Sequence, residues 1–186
     1  MGSQNWLETL DTTIADGTQI SNSTAEAIIC PDFSIPAFYM APGRTLRIWA
    51  SGVMSNVVTT PGTLIMRLRW GGVAGTILWA SAAQGLDTTA RTNSHWALQG
   101  YIVCRSAGAT GTFLSAGILW GNVLSSTAAN LLPALMGSAG APLASANVAV
   151  TVDTTASKLL SLTAQFSVST SPTNLTCQQR VIEVMN

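Results

Sequence analysis

Charge is what this chain has least of. Only 9% of its 186 residues are charged, against about 25% in an ordinary soluble domain. Lys158 is the single lysine, and the eight basic residues are cancelled by eight acidic ones. Residues 106–152 contain no ionisable side chain. This scarcity excludes nucleic acid as a partner, because phosphate binding is driven by clustered Lys and Arg. A surface built from Ser, Thr, Ala, Gly, Asn and Gln is instead cheap to desolvate, since few ions must be stripped of water. Such a surface suits burial against other copies or partners and points to an assembly part.

Cysteine and histidine are also scarce. Cys30, Cys104 and Cys177 are odd in number and show no CxxC spacing, and His95 is the only imidazole. They supply no closed zinc site, and the three cysteines read as small buried hydrophobes. No run of about 18 apolar residues suggests a membrane span. Residues 1–5 have neither a basic nor an apolar region, so no secretory leader is expected. The 47% hydrophobic content excludes disorder and supplies one domain-sized core.

The parts of an active site are missing as well. A serine hydrolase needs a nucleophile held against an oriented base; His95 lies at the start of an alternating segment, and no G-x-S-x-G elbow occurs. Lys158 lacks the glycine-rich lead of a phosphate-binding loop. Of the acids, Asp11, Asp16, Asp32, Asp87 and Asp153 lie in predicted turns, where aspartate is favoured for backbone reasons. Nothing pairs two carboxylates for glycoside chemistry, and no calcium loop is present. No enzyme and no cofactor is expected.

What the chain does contain is alternation. Period-2 patterning, β-branched and aromatic residues, and Gly, Pro, Asn and Asp turns give about eight strands. They fall near residues 25–30, 44–52, 63–70, 75–81, 94–106, 112–124, 158–170 and 175–185. Leu46, Ile48 and Ala50 are predicted inward opposite Arg47 and Trp49. Leu64, Met66, Leu68 and Trp70 are predicted inward, leaving Arg67 and Arg69 wet. Trp96, Leu98, Ile102 and Cys104 form another inward set, as do Leu114, Ile118 and Trp120, and Leu160, Leu162, Phe166 and Val168. On that last strand Ser161 and Thr163 are predicted outward. The rhythm breaks in a long loop at residues 122–153, with a weak helical patch over 127–136. Residues 1–23 read as an irregular N-terminal arm, and residues 24–186 as one domain. The fold class is therefore all-β: a single jelly-roll-like, two-sheet antiparallel sandwich with an N-terminal arm and one long loop. An immunoglobulin-like sandwich is second, lacking its Cys–Trp–Cys spacing.

The candidate interface residues follow from that placement. Trp6, Leu7 and Leu10 lie in the arm, and Trp49 stands beside Arg47 on an outward face. Arg67, Arg69 and Arg105 also point outward, where forked guanidinium groups can pair with a partner's carboxylates.

Two groups of residues carry a resemblance. One runs from Ala15-Asp16-Gly17-Thr18 through Ser23-Thr24-Ala25-Glu26 to Pro31. The other combines Ala41-Pro42-Gly43-Arg44-Thr45-Leu46, Thr60-Pro61-Gly62-Thr63, Arg67-Leu68-Arg69-Trp70-Gly71-Gly72 and the later Trp96-Ala97-Leu98. Over about residues 15–120 the chain resembles small jelly-roll structural proteins of tailed bacteriophages. These are turn-and-strand signatures, and no functional residue is carried over. The resemblance implies a capsid cement or decoration protein, made in the host cytoplasm and sitting on the virion surface. It also implies a homotrimer in contact with the major capsid protein. The alternative is a tail, fibre or baseplate module that binds a host-surface glycan.

Overall fold

The computed structural model describes residues 7–124, 134–138 and 147–185. Trp6, most of the predicted helical patch and part of the predicted long loop lie outside the described residues. Strand accounts for 60% of the structure, and the described residues include no helix. In the first half of the chain the strands are β1 (Leu7–Thr12), β2 (Ile20–Ser21), β3 (Ala27–Ile28), β4 (Phe33–Ile35), β5 (Thr45–Asn56), β6 (Thr63–Trp70), β7 (Thr76–Ser81) and β8 (Gln84–Gly85). The second half adds β9 (Arg91–Ser106), β10 (Gly111–Gly121), β11 (Ala134–Ser138), β12 (Val150–Val152), β13 (Lys158–Phe166) and β14 (Asn174–Met185).

They form one large antiparallel sheet that runs β1-β14-β5-β9-β10-β11-β7-β6-β13-β3 and curls into a half-barrel. The curl turns the β14-β5-β9-β10 wall toward the β7-β6-β13 wall. Trp70 of β6 and Phe113 of β10 meet edge to face, with ring centroids 5.1 Å apart. Four long strands have one edge divided between two short strands. The edge of β14 takes β1 and β2, that of β10 takes β11 and β12, that of β13 takes β3 and β4, and that of β6 takes β7 and β8.

Where one face of a strand is apolar, alternation places it correctly. Leu46, Ile48 and Ala50 of β5, Leu64, Met66, Leu68 and Trp70 of β6, and Trp96, Leu98, Ile102 and Cys104 of β9 are all buried. Side chains two residues apart share a face, so a single apolar set fixes the orientation of the strand. Trp79 fills the interior opposite Gly100, where a Cβ would come within 3.0–3.1 Å of the indole. Gly100 is therefore the residue that admits the ring.

Four expectations about strands and cysteines are corrected. Strand β10 presents the opposite face: Phe113 and Leu119 are buried, while Trp120 is 37% exposed and Leu114 and Ile118 are only half-buried. Both alternations of this strand are apolar, and its pairing with β9 decides between them by setting Phe113 opposite Cys104. Secondly, Ser161 and Thr163 of β13 are buried. Strand β3 and the adjoining Glu26 lie along this edge, and Thr163 donates its hydroxyl to Glu26. Thirdly, Ala134–Ser138, which takes in the last three residues of the predicted 127–136 helical patch, is a strand joining β10 to β7. Lastly, Cys30 and Cys177 are not free hydrophobes but a disulfide across 147 residues of sequence, with Cα atoms 6.0 Å apart. Cys104 alone stays a buried thiol, and burial raises its pKa.

The disulfide belongs to a corner where the first thirty residues are tied to the last strand. Gly17 N donates to Cys177 O at 2.7 Å, and Thr13 and Arg180 exchange two hydrogen bonds, of 3.0 and 2.7 Å. The buried Arg180 guanidinium donates to the Asp11 carboxylate and to Pro31 O. In the described part of the predicted arm, Leu7–Thr12 is thus an edge strand on β14.

A candidate interaction face

The outward side of the β1-β14-β5-β9-β10-β11 wall can be read row by row from the strand register. One row crosses Leu7, Met185, Thr45, Val103 and Leu114; the next crosses Thr9, Glu183, Arg47, Tyr101 and Ala116. A third crosses Val181, Trp49, Gln99, Ile118 and Leu135, and a fourth crosses Ser51, Ala97 and Trp120. Most positions in these rows are apolar. Leu7, Met185, Tyr101, Trp120 and Leu135 are 37–56% exposed. A solvated antiparallel face ordinarily alternates polar against the buried apolar set, so apolar residues on both sides of one wall signal a second contact surface.

Charge within the four rows is confined to Arg47 and Glu183, which neutralise each other. Arg47 Nε donates to Glu183 Oε2 at 2.5 Å, and a second guanidinium nitrogen pairs with the same carboxylate. The bond to Glu183 raises the pKa of Arg47, against the smaller opposing effect of burial. Gln99 Nε2 donates to the Tyr101 hydroxyl at 2.8 Å and stands between two hollows. One, of about 390 Å³, is lined by Arg47, Trp49, Gln99, Val181 and Glu183. The other, of about 370 Å³, includes Tyr101, Ile118, Leu135 and Met136 in its lining. Aromatic side chains therefore stand beside depressions on one surface.

The predicted interface residues separate into three groups. Arg47 and Trp49 lie within this face, and Leu7 is at its corner. Arg105 is exposed on β9, on the same side of the alternation. Leu10 instead packs partly against the core. Arg67 and Arg69 lie on the other wall and are not wet. Both bind Glu26: Arg67 through one nitrogen at 2.9 Å, and Arg69 through two at 2.6 and 2.7 Å. Their side chains are 15% and 13% exposed. Burial pushes the Glu26 carboxyl upward, but hydrogen bonds from Arg69 and Thr163 and the charges of both arginines outweigh it, so its pKa is lowered. This cluster holds the segment before β3 against β13 and β6.

Sequence reasoning missed Tyr101, Leu114, Ile118, Trp120, Leu135, Val181 and Met185 as surface residues. A signal was available in β10, where both alternating sets are apolar and only one can face the core. His95 is exposed at the far end of β9, and the described residues include no group of three His, Cys, Asp or Glu able to hold a metal. No helix among the described residues is long and apolar enough to cross a membrane. No family model matches the chain, and no curated protein matches it.

Proposed function

We propose that this chain is a virion structural protein, a cement or decoration protein that stabilises the head of a tailed phage by packing as a homotrimer on the major capsid protein. One observation carries the reading: a chain with few ions has an apolar second face on its principal wall. That surface is suited to contact and offers little to catalysis. On this reading the curled antiparallel sheet is a jelly-roll-like sandwich, and the protein acts by contact alone, without cofactor. It is made in the host cytoplasm and resides on the capsid surface. The Cys30–Cys177 bond supports a working life outside a reducing cytoplasm, because disulfides persist in oxidising surroundings. Copy number per purified particle, measured by quantitative mass spectrometry against the major capsid protein, tests the proposal. Near one copy per one to three capsid subunits is the expected result. A handful of copies per particle refutes a shell role.

The hollow around Trp49 favours a second reading, a tail or fibre module that binds a host-surface glycan. An indole flanked by Arg47, Gln99 and Glu183 offers a sugar ring an apolar platform and hydrogen-bonding partners together. Binding on a glycan array that is lost in Trp49→Ala supports this alternative, and low copy number would accompany it.

A further inference from the structure

We infer that the occupant of the outward β1-β14-β5-β9-β10-β11 face is a second copy of this chain, so that this face, and not the β6-β13 wall, carries self-association. The inference rests on the assembly reading above and deepens it by naming the surface.

Three observations support a second copy as the occupant. The first is charge. Within the four rows only Arg47 and Glu183 are ionised, and they already pair with one another. Arg105 stands beyond the first row on the same side of β9, so the rows themselves hold no cluster of like charge to recruit an oppositely charged partner, and the whole chain, at net zero, has no long-range repulsion against its own copies. The second is area. The eighteen positions named in the four rows, twelve of them apolar, on strands about 4.8 Å apart and in rows about 6.8 Å apart, cover on the order of 600 Å² in plan, and more once side-chain relief is counted. A stable protein–protein contact uses about 800 Å² per partner, while the largest apolar patch of a typical monomer is about 300–600 Å². The third is shape. In a homotrimer the contact is heterologous, one part of the surface meeting a different part on the next copy, so the face has to supply both projections and recesses. This face has both: Tyr101 and Trp120 project at 39% and 37% exposure, and two hollows of about 370 and 390 Å³ lie on it, the first lined by Tyr101 and the second by Trp49.

Arg67 and Arg69 of the opposite wall are already engaged by Glu26. That wall thus spends its charged residues on holding its own chain together.

The test is sedimentation equilibrium of the full chain beside Trp120→Glu, Tyr101→Glu and a control, Val73→Glu, in the β6–β7 turn of the opposite wall. Trp120 and Tyr101 are each more than a third exposed, so both variants are expected to keep the wild-type circular dichroism and melting profile. Each is expected to raise the self-dissociation constant at least about 30-fold, equivalent to about 2 kcal/mol, while Val73→Glu leaves it unchanged. An oligomer that neither face variant weakens overturns the inference and leaves the assembly reading standing, since another surface then holds the copies together. A wild-type chain that is monomeric at every concentration also overturns it, and copy number per particle then decides the assembly reading separately. If one face variant misfolds, the other decides.

Discussion

Breaking the Cys30–Cys177 bond, by reductant or by Cys177→Ser, releases the largest covalent constraint on the unfolded chain. The two cysteines are 147 residues apart. Loop-closure entropy for a ring of that size is about 17 cal/mol/K, or about 5 kcal/mol at 25 °C. Natural disulfides typically contribute about 2–4 kcal/mol, so a loss in that range is expected, with the entropic figure as its ceiling. In urea, with a slope of about 2 kcal/mol/M, the midpoint should fall by about 1–2 M. The slope itself should rise, because a reduced chain unfolds to a more expanded ensemble. Thiol titration of the unreduced protein in denaturant should find one reactive thiol, Cys104, and three after reduction. Equal midpoints with and without reductant would refute the entropic argument, and three thiols before reduction would refute the bond itself.

Three further outcomes can be checked on the same unfolding curves. Asn56→Ala should cost about 1–3 kcal/mol, because its buried amide donates to Val57 O, Asp87 O and Thr89 O and accepts from Arg91 N at 3.0 Å; no change in the midpoint refutes that role. Gly100→Ala should cost about 1–3 kcal/mol by overpacking and alter the near-ultraviolet circular dichroism of Trp79; an unchanged spectrum means the ring has room to move. Stability should also fall in acid. The Glu26 carboxyl sits below its ordinary 4.5, and that of Asp87 below 3.8 because of the Thr89 N–H and Arg91. Across that window the unfolded chain binds more protons, so stability rises with pH and is lost as pH falls from about 4.5 through the folded values. Glu26→Gln should flatten that slope; a slope identical to wild type refutes the assignment.

The legible parts of the fold were strands with one apolar set. Strand β6 needed only its own eight residues, because Arg67 and Arg69 could not share a face with Leu64, Met66 and Leu68. The same alternation misjudged their surroundings, since Glu26, which covers both arginines, lies 41 and 43 residues away in sequence. Strand β10 could not be oriented from its own residues. Phe113 and Leu119 compete with Leu114, Ile118 and Trp120, and the register against β9 settles the matter. Half of the candidate face was visible for a related reason. Trp49 shows itself beside Arg47 on a strand with a clear inner set, whereas Trp120 was hidden on a strand without one. The disulfide joins residues separated by most of the chain, and an odd cysteine count suggested no pairing.

The divided edges give the long strands an uneven resistance to opening. The outer edge of β14 is closed by β2 at Asn174 and Leu175 and by β1 from Val181 to Met185, so either patch can part while the other holds. The edge of β10 away from β9 is likewise shared, by β12 at Gly111–Phe113 and β11 at Gly117–Leu119. Amide exchange along a single strand should then show two plateaus separated by a step, each reporting the opening energy of a different short segment. The β5–β9 pairing, continuous from Thr45 to Asn56 apart from one irregularity, should be the slowest-exchanging part of the molecule. Around that slow centre the short strands behave as separate latches, and a substitution in one of them is felt over a few residues of its neighbour, leaving the rest of the sheet unchanged.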